Sequence, residues 1–227
     1  MPSSIPIALI DDHELFRSAL CDMIERLGGY DVVVQAGNGK EYQEAIADGT
    51  RVAVAIVDLH MPVMDGFETI SWIRADHPET RALALTFDKD EQTMARALRA
   101  GACGFLPKDV SKGLFREALE QVATIGQYIN EELVERGLPT TSEQYEAQRQ
   151  AILADLKDRD IDFIRHVCDE REPTYDMVAN LMGVSVSAIH GYRERIFVKH
   201  GIKSKSGLVI FAYKWGILGR GWRKRHH

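Results

Sequence analysis

Five residues of this chain could do chemistry together: Asp11, Asp12, Asp58, Thr86 and Lys108. Each ends or follows a short apolar run: "IPIALI" before the two aspartates, "VAVAIV" before Asp58, "ALALTF" around Thr86 and "GFLP" before Lys108. Three carboxylates at one place repel each other unless a cation joins them. Hard oxygen ligands in that number suit Mg2+ (or Mn2+), which keeps several waters and favours sites completed by a phosphate. A lysine and a hydroxyl add further partners for phosphoryl oxygens. Asp58 is then a candidate nucleophile forming an aspartyl phosphate, because phosphoryl transfer asks mainly for positioning and charge neutralisation. Taken singly, each residue has an ordinary reading. An Asp after a strand caps a turn, Asp65-Gly66 is a turn signal, and a lone lysine is solvated. The order of all five along successive strand ends is what points to chemistry.

That order depends on the elements. The runs 5–10, 31–36, 52–57, 82–87 and 104–107 read as strands, and 13–27, 39–47, 66–77, 89–100 and 111–125 as helices. The strands show no polar alternation, so both faces are buried. Five β-α pairs therefore predict a doubly wound α/β domain with a five-stranded parallel sheet. Ligands of such sheets sit at the carboxyl ends of the strands, which is where all five residues fall.

Residues 1–126 resemble a bacterial response-regulator receiver domain, which has a flavodoxin-like fold. "LIDDHELFR" matches the family's acidic pair, "VDLHMPVMDGFE" its phospho-acceptor strand and loop, "LTF" its switch hydroxyl and "GFLPKD" its lysine. The resemblance implies that Asp58 accepts phosphate from a histidine kinase. It implies Mg2+ held by Asp12 directly, by Asp11 mainly through water, by Asp58 and by the His60 backbone carbonyl. Thr86 and Lys108 would hold the phosphoryl group, and Phe105 would turn inward as Thr86 moves. Three positions depart or vary. Phe87 stands where the family usually has a small residue, so its ring would narrow access. His60 and Asp88 occupy positions that tune phosphate lifetime. Asp109 replaces a common proline.

Composition divides the chain in two. Residues 1–126 hold 12 basic against 20 acidic residues, whereas 181–227 hold 10 basic against one acidic, Glu194. A basic end is a candidate for a polyanion. Cys21, Cys103 and Cys168 form no metal-like spacing and fit buried thiols in a reducing cytosol. The first residues read as no signal peptide, and no apolar run approaches the ~20 residues of a membrane helix. A cytoplasmic protein is expected.

Residues 127–150 read as an acidic, partly helical linker, 151–218 as a small all-helical domain and 219–227 as a basic tail. In the helical domain, Thr174 caps a short helix ending at Met182. Gly183 turns the chain, and Ser185 caps a helix running to His200. Two helices across a short Gly turn form the helix-turn-helix plan. On the second, Ile189, Tyr192 and Ile196 would pack inward. Ser187, His190, Gly191 and Glu194 would point to the DNA major groove, with Arg193, Arg195 and Lys199 flanking them on phosphates.

Residues 151–218 resemble the LuxR-type (NarL/FixJ-like) output domain. "LKDRD" stands for its usual Leu-Thr-x-Arg-Glu, and "DMVANLMGVSVSAIHGYRERIFVKHGIKSKSGLVIFA" follows the rest. His190 replaces a lysine frequent in relatives. The family's last helix forms a dimer contact, which assigns Val209, Ile210 and Tyr213 to an apolar face left over for a homodimer. The reading is a two-component DNA-binding transcriptional regulator acting on paired half-sites, and not a conventional enzyme. A protein- or RNA-binding output, or a phosphorelay receiver with a vestigial output domain, are the alternatives.

Overall fold

The computed structural model describes residues 4–128 and 142–218, with side chains of the second stretch from 147 onward. The chain forms two compact units, Met1–Leu133 and Val134–His227. The basic tail 219–227 and most of the expected linker lie outside the described residues.

The first unit alternates strand and helix: β1 (Ile5–Ile10), α1 (Glu14–Leu27), β2 (Tyr30–Ala36), α2 (Gly39–Ala45), β3 (Val54–Asp58), α3 (Gly66–Asp76), β4 (Arg81–Thr86), α4 (Glu91–Ala100), β5 (Gly104–Pro107) and α5 (Lys112–Thr124). The strands form one parallel sheet in the order β2-β1-β3-β4-β5. Every residue of β3 is buried, as a strand covered on both faces demands. Ile7, Leu9, Ile56, Leu83 and Leu106 pack with Leu20, Ile24, Phe115 and Leu119 into one core. The strand order reverses between β1 and β3, so a crevice opens beyond their carboxyl ends.

Side-chain caps fix where the helices start. Asn38, Asp65, Asp90 and Ser111 each accept an amide hydrogen from the first turn of α2, α3, α4 and α5. β4 ends at Thr86, one residue earlier than its apolar run suggests, which leaves Phe87 in the following loop and 64% exposed.

The second unit comprises α6 (Ser142–Asp155), α7 (Asp158–Val167), α8 (Tyr175–Met182), α9 (Val186–Lys199) and α10 (Lys205–Lys214). Thr174, Ser185 and Ser204 cap α8, α9 and α10. Gly183 turns α8 into α9 at φ +63, a left-handed conformation that favours glycine. Phe163, Ile164, Val178, Ile189, Ile196 and Leu208 form its core.

Two expectations change here. The expected boundary at 150/151 falls inside α6, which is one continuous helix bonded to the rest of the unit through Arg149 and the Trp215 carbonyl. The apolar face assigned to a dimer does not exist as such. Val209 is 0% and Ile210 8% exposed, and Tyr213 is half-buried. α10 is apolar nearly all round because it is covered nearly all round.

Candidate functional site

At the carboxyl edge of the sheet, Asp58 is the last residue of β3, Asp11 follows β1 and Lys108 follows β5. The Asp11 amide donates to the Ala36 carbonyl and the Lys108 amide to the Thr86 carbonyl, so the sheet's own ladder sets both side chains. The Lys108 ammonium lies 2.7 Å from Asp11 Oδ2 and 2.8 Å from Asp58 Oδ2. All three side chains are buried, a rare condition for charges that are not paired. Burial pushes the Asp58 carboxyl above its ordinary pKa, an effect that Lys108 opposes and that Asp11 reinforces.

The backbone around Asp58 is shaped for it. His60 donates its amide to Asp58 Oδ1 at 3.4 Å. The chain turns at Val63, φ +69, with the Met64 amide on the Pro62 carbonyl. Gly66 then passes so close to β3 that a Cβ there would lie 2.0 Å from the Asp58 carbonyl oxygen. Only a residue without a side chain fits.

Ligand oxygens of Asp11, Asp12 and Asp58, with a ring nitrogen of His13, all lie within 4.8 Å of one another. The donor set is hard and mostly anionic, and Asp12 stays exposed at its rim. It fits a divalent cation such as Mg2+. His13 was not expected from the sequence; its Nδ1 lies 2.9 Å from Asp12 Oδ1 and its amide donates to Asp11 Oδ1. Two adjacent acids mask such a histidine in sequence, because it reads as the start of a helix.

Thr86 is fully buried and its hydroxyl accepts from the Asp88 amide at 3.2 Å, while Phe105 on β5 is 3% exposed and points into the unit. The structure thus gathers Asp11, Asp12, Asp58 and Lys108 into one cluster and puts Thr86 on the adjoining strand end. For His60 it adds a side-chain contact, with Nε2 2.7 Å from Asp88 Oδ2.

In the second unit, Ser187, His190, Gly191 and Glu194 of α9 are exposed. Arg195 and Lys199, expected to flank them on phosphates, each carry an ion pair and stay half exposed. Arg195 pairs with the buried Asp160 and Lys199 with Asp155. Arg193 lies over the Phe197 ring, 4.8 Å from its centre. Beside the first turn of α9 is a cleft of about 370 Å³, lined by Thr174, Asp176, Val186, His190 and Lys205 among others.

A family model for the response regulator receiver domain matches residues 7–120. The response regulator GacA of Pseudomonas protegens is 25% identical over 219 residues, covering 94% of this chain and 98% of that protein. The nitrate/nitrite response regulator protein NarL of Escherichia coli is 24% identical over 212 residues, covering 93% and 96%. Among solved structures, a two-component response regulator of the LuxR family from Aurantimonas sp. SI85-9A1 is 28% identical with a TM-score of 0.52. It covers 56% of this chain and 90% of that one.

Proposed function

The chain belongs to the response-regulator receiver family, and from that premise we propose that it is a two-component regulator whose DNA binding is controlled by phosphorylation of Asp58. The observation that carries this reading is the Lys108 ammonium held between two buried carboxylates at the sheet edge. Relatives of nearly full length with regulator names, GacA and NarL among them, support the output function.

In this reading Asp58 attacks the phosphorus of a phosphohistidine on a partner kinase. The P–N bond breaks as the P–O bond forms, and the imidazole leaves. Asp11, Asp12, Asp58 and the His60 carbonyl would hold Mg2+, which when bound would offset the charge of the phosphoryl oxygens. Lys108 would exchange Asp58 for a phosphoryl oxygen, keeping its second partner, Asp11. Thr86 would release the Asp88 amide to reach another oxygen, and Phe105 would share in that movement.

The output would be residues 151–218, extended by the earlier part of α6. Ser187, His190, Gly191 and Glu194 would face base edges, with Arg193 on phosphates. Glu194 can accept from cytosine N4, and Gly191 leaves room for a close approach. Active dimers would bind paired half-sites about one helical turn apart. Among the described residues no helix is long and apolar enough to cross a membrane.

Selection from a random duplex pool by the full chain, with and without beryllofluoride, tests this. Paired half-sites enriched more strongly with the mimic, and lost in Asp58→Ala, are expected. The absence of any enriched sequence in both conditions would overturn the DNA-binding reading.

A further inference from the structure

Three consecutive residues after β4 each reach across the mouth of the Asp58 site, Phe87 and Lys89 to the β5–α5 loop and Asp88 to the β3–α3 loop. Phe87 lies over Lys108, with the ammonium 5.3 Å from its ring centre. The Phe16 ring of α1 stands 4.9 Å from the same ammonium, so two rings flank it. Asp88 Oδ2 lies 2.7 Å from His60 Nε2 in the β3–α3 loop. Lys89 Nζ lies 2.5 Å from Asp109 Oδ2 in the β5–α5 loop. These contacts run from one short segment to two of the loops that frame the carboxylate crevice, β3–α3 and β5–α5.

The exposures show what holds what. Phe87 is 64% exposed, and His60, Asp88, Lys89 and Asp109 are all more than half exposed. A large apolar ring left in solvent gains nothing by burial there. It gains from the cation beneath it, and the two flanking ion pairs keep the segment from swinging away. Lys108 is only 1% exposed in its side chain although it stands at a site that must admit a donor. Something has to move for a donor to enter.

We propose that residues 87–89 form a strap that makes Phe87 a specificity-determining residue of the Asp58 site, admitting small phosphoryl donors according to their size. This deepens the proposed function and rests on Asp58 being the acceptor. The strap insulates the acceptor from metabolic phosphodonors, leaving a protein donor that displaces the segment on binding as the effective one. Phe87 acts on access and through Lys108, so it is a positioning residue and not a catalytic one. Each contact at this rim contributes a factor of about two to five, so the three together are worth at least about tenfold in accessibility.

The test measures initial rates of Asp58 phosphorylation in the full chain with Mg2+, using acetyl phosphate and the smaller phosphoramidate as donors. Phe87→Ala and the double variant Lys89→Ala/Asp109→Ala are compared with the wild type, with Asp58→Asn as the blank. Each variant, which removes one of the three contacts, is expected to gain about two- to fivefold with acetyl phosphate and clearly less with phosphoramidate. The swapped pair Lys89→Asp/Asp109→Lys should return to the wild-type rate, which separates the clasp from any loss of fold. Equal gains for the two donors, or none, would overturn the strap. Failure of every chain to be labelled at position 58 by either donor would instead overturn the acceptor assignment, and the strap with it.

Discussion

The Lys108 ammonium stands 2.8 Å from the Asp58 carboxylate, with the two side chains 1% and 4% exposed. A pair so dry is held less by its own attraction than by the cost of separating it, since either charge alone is expensive to bury. Lys108 also holds Asp11 at 2.7 Å, so its removal would leave two buried carboxylates facing each other. Lys108→Met is therefore expected to lower stability by about 3 kcal/mol at neutral pH in the absence of divalent cations. Millimolar Mg2+ should restore more stability to the variant than it adds to the wild type. Urea denaturation with and without Mg2+ measures both. An unchanged midpoint would show that the pair is not what holds the crevice together.

Gly66 offers a sharper test of the backbone. A Cβ at this position would meet the Asp58 carbonyl oxygen at 2.0 Å and Leu59 Cα at 2.6 Å, both main-chain atoms that cannot rotate away. Gly66→Ala is expected to cost at least about 2 kcal/mol, as overpacking of a rigid site does, and to displace Asp58 from Lys108. The same change at Gly191, inside α9 with nothing within 4 Å, is expected instead to add up to about 1 kcal/mol of stability through helix propensity. Thermal denaturation of the two variants side by side checks the contrast.

On α9 the structure separates residues that hold the fold from residues left on the exposed face, the ones proposed to meet DNA. Asp160 is buried, accepts the Lys157 amide at 3.1 Å and pairs with Arg195. Asp160→Ala is expected to destabilise the second unit by about 2 kcal/mol through the lost cap and the stranded partner. Glu194→Ala and His190→Ala, on the exposed face, should leave the melting temperature nearly unchanged and alter the selected sequence. Melting curves and duplex selection on the same preparations give the two readouts. A Glu194→Ala variant with wild-type sequence preference would remove that residue from base contact.

The main site was legible because its residues are tied to strand ends. Asp58 and Lys108 follow apolar runs, and the parallel sheet carries those ends to one edge whatever the details of packing. Contacts between loops were not legible. Nothing in the spacing of Lys89 and Asp109, 20 positions apart, announces an ion pair, and His13 is hidden beside two acids. α10 misled for a different reason. An apolar stripe wider than one face implies a partner, but pattern alone does not reveal whether that partner is another chain or this one. Here Val209 and Ile210 are already buried. The ion pairs of Arg195 and Lys199 were hidden in sequence because their acids, Asp160 and Asp155, lie 35 and 44 positions earlier.

His200 gives the second unit a pH dependence of its own. Its ring packs against Phe211 with centres 4.9 Å apart, and its Nε2 lies 3.8 Å from Asp155 Oδ2. Burial lowers its pKa below the ordinary histidine value. Neighbouring Lys199 adds to this, while Asp155 and Asp160 pull the other way and do not win. The unfolded chain then binds a proton more readily than the folded one, in the window from about pH 6.5 down to the depressed folded value. Stability therefore rises with pH across that window and is lost as the solution is acidified below about 6.5. Asp155 titrates lower still, because Lys199 bonds its carboxylate, so its own effect falls outside this window. His200→Phe keeps a ring against Phe211 and has no proton to take up, so its stability should be flat where the wild type slopes. Urea titrations of the full chain at intervals between pH 5 and 7.5, followed in the second unit's transition, measure the slope. Parallel curves for the two proteins would show that His200 is not the group that titrates.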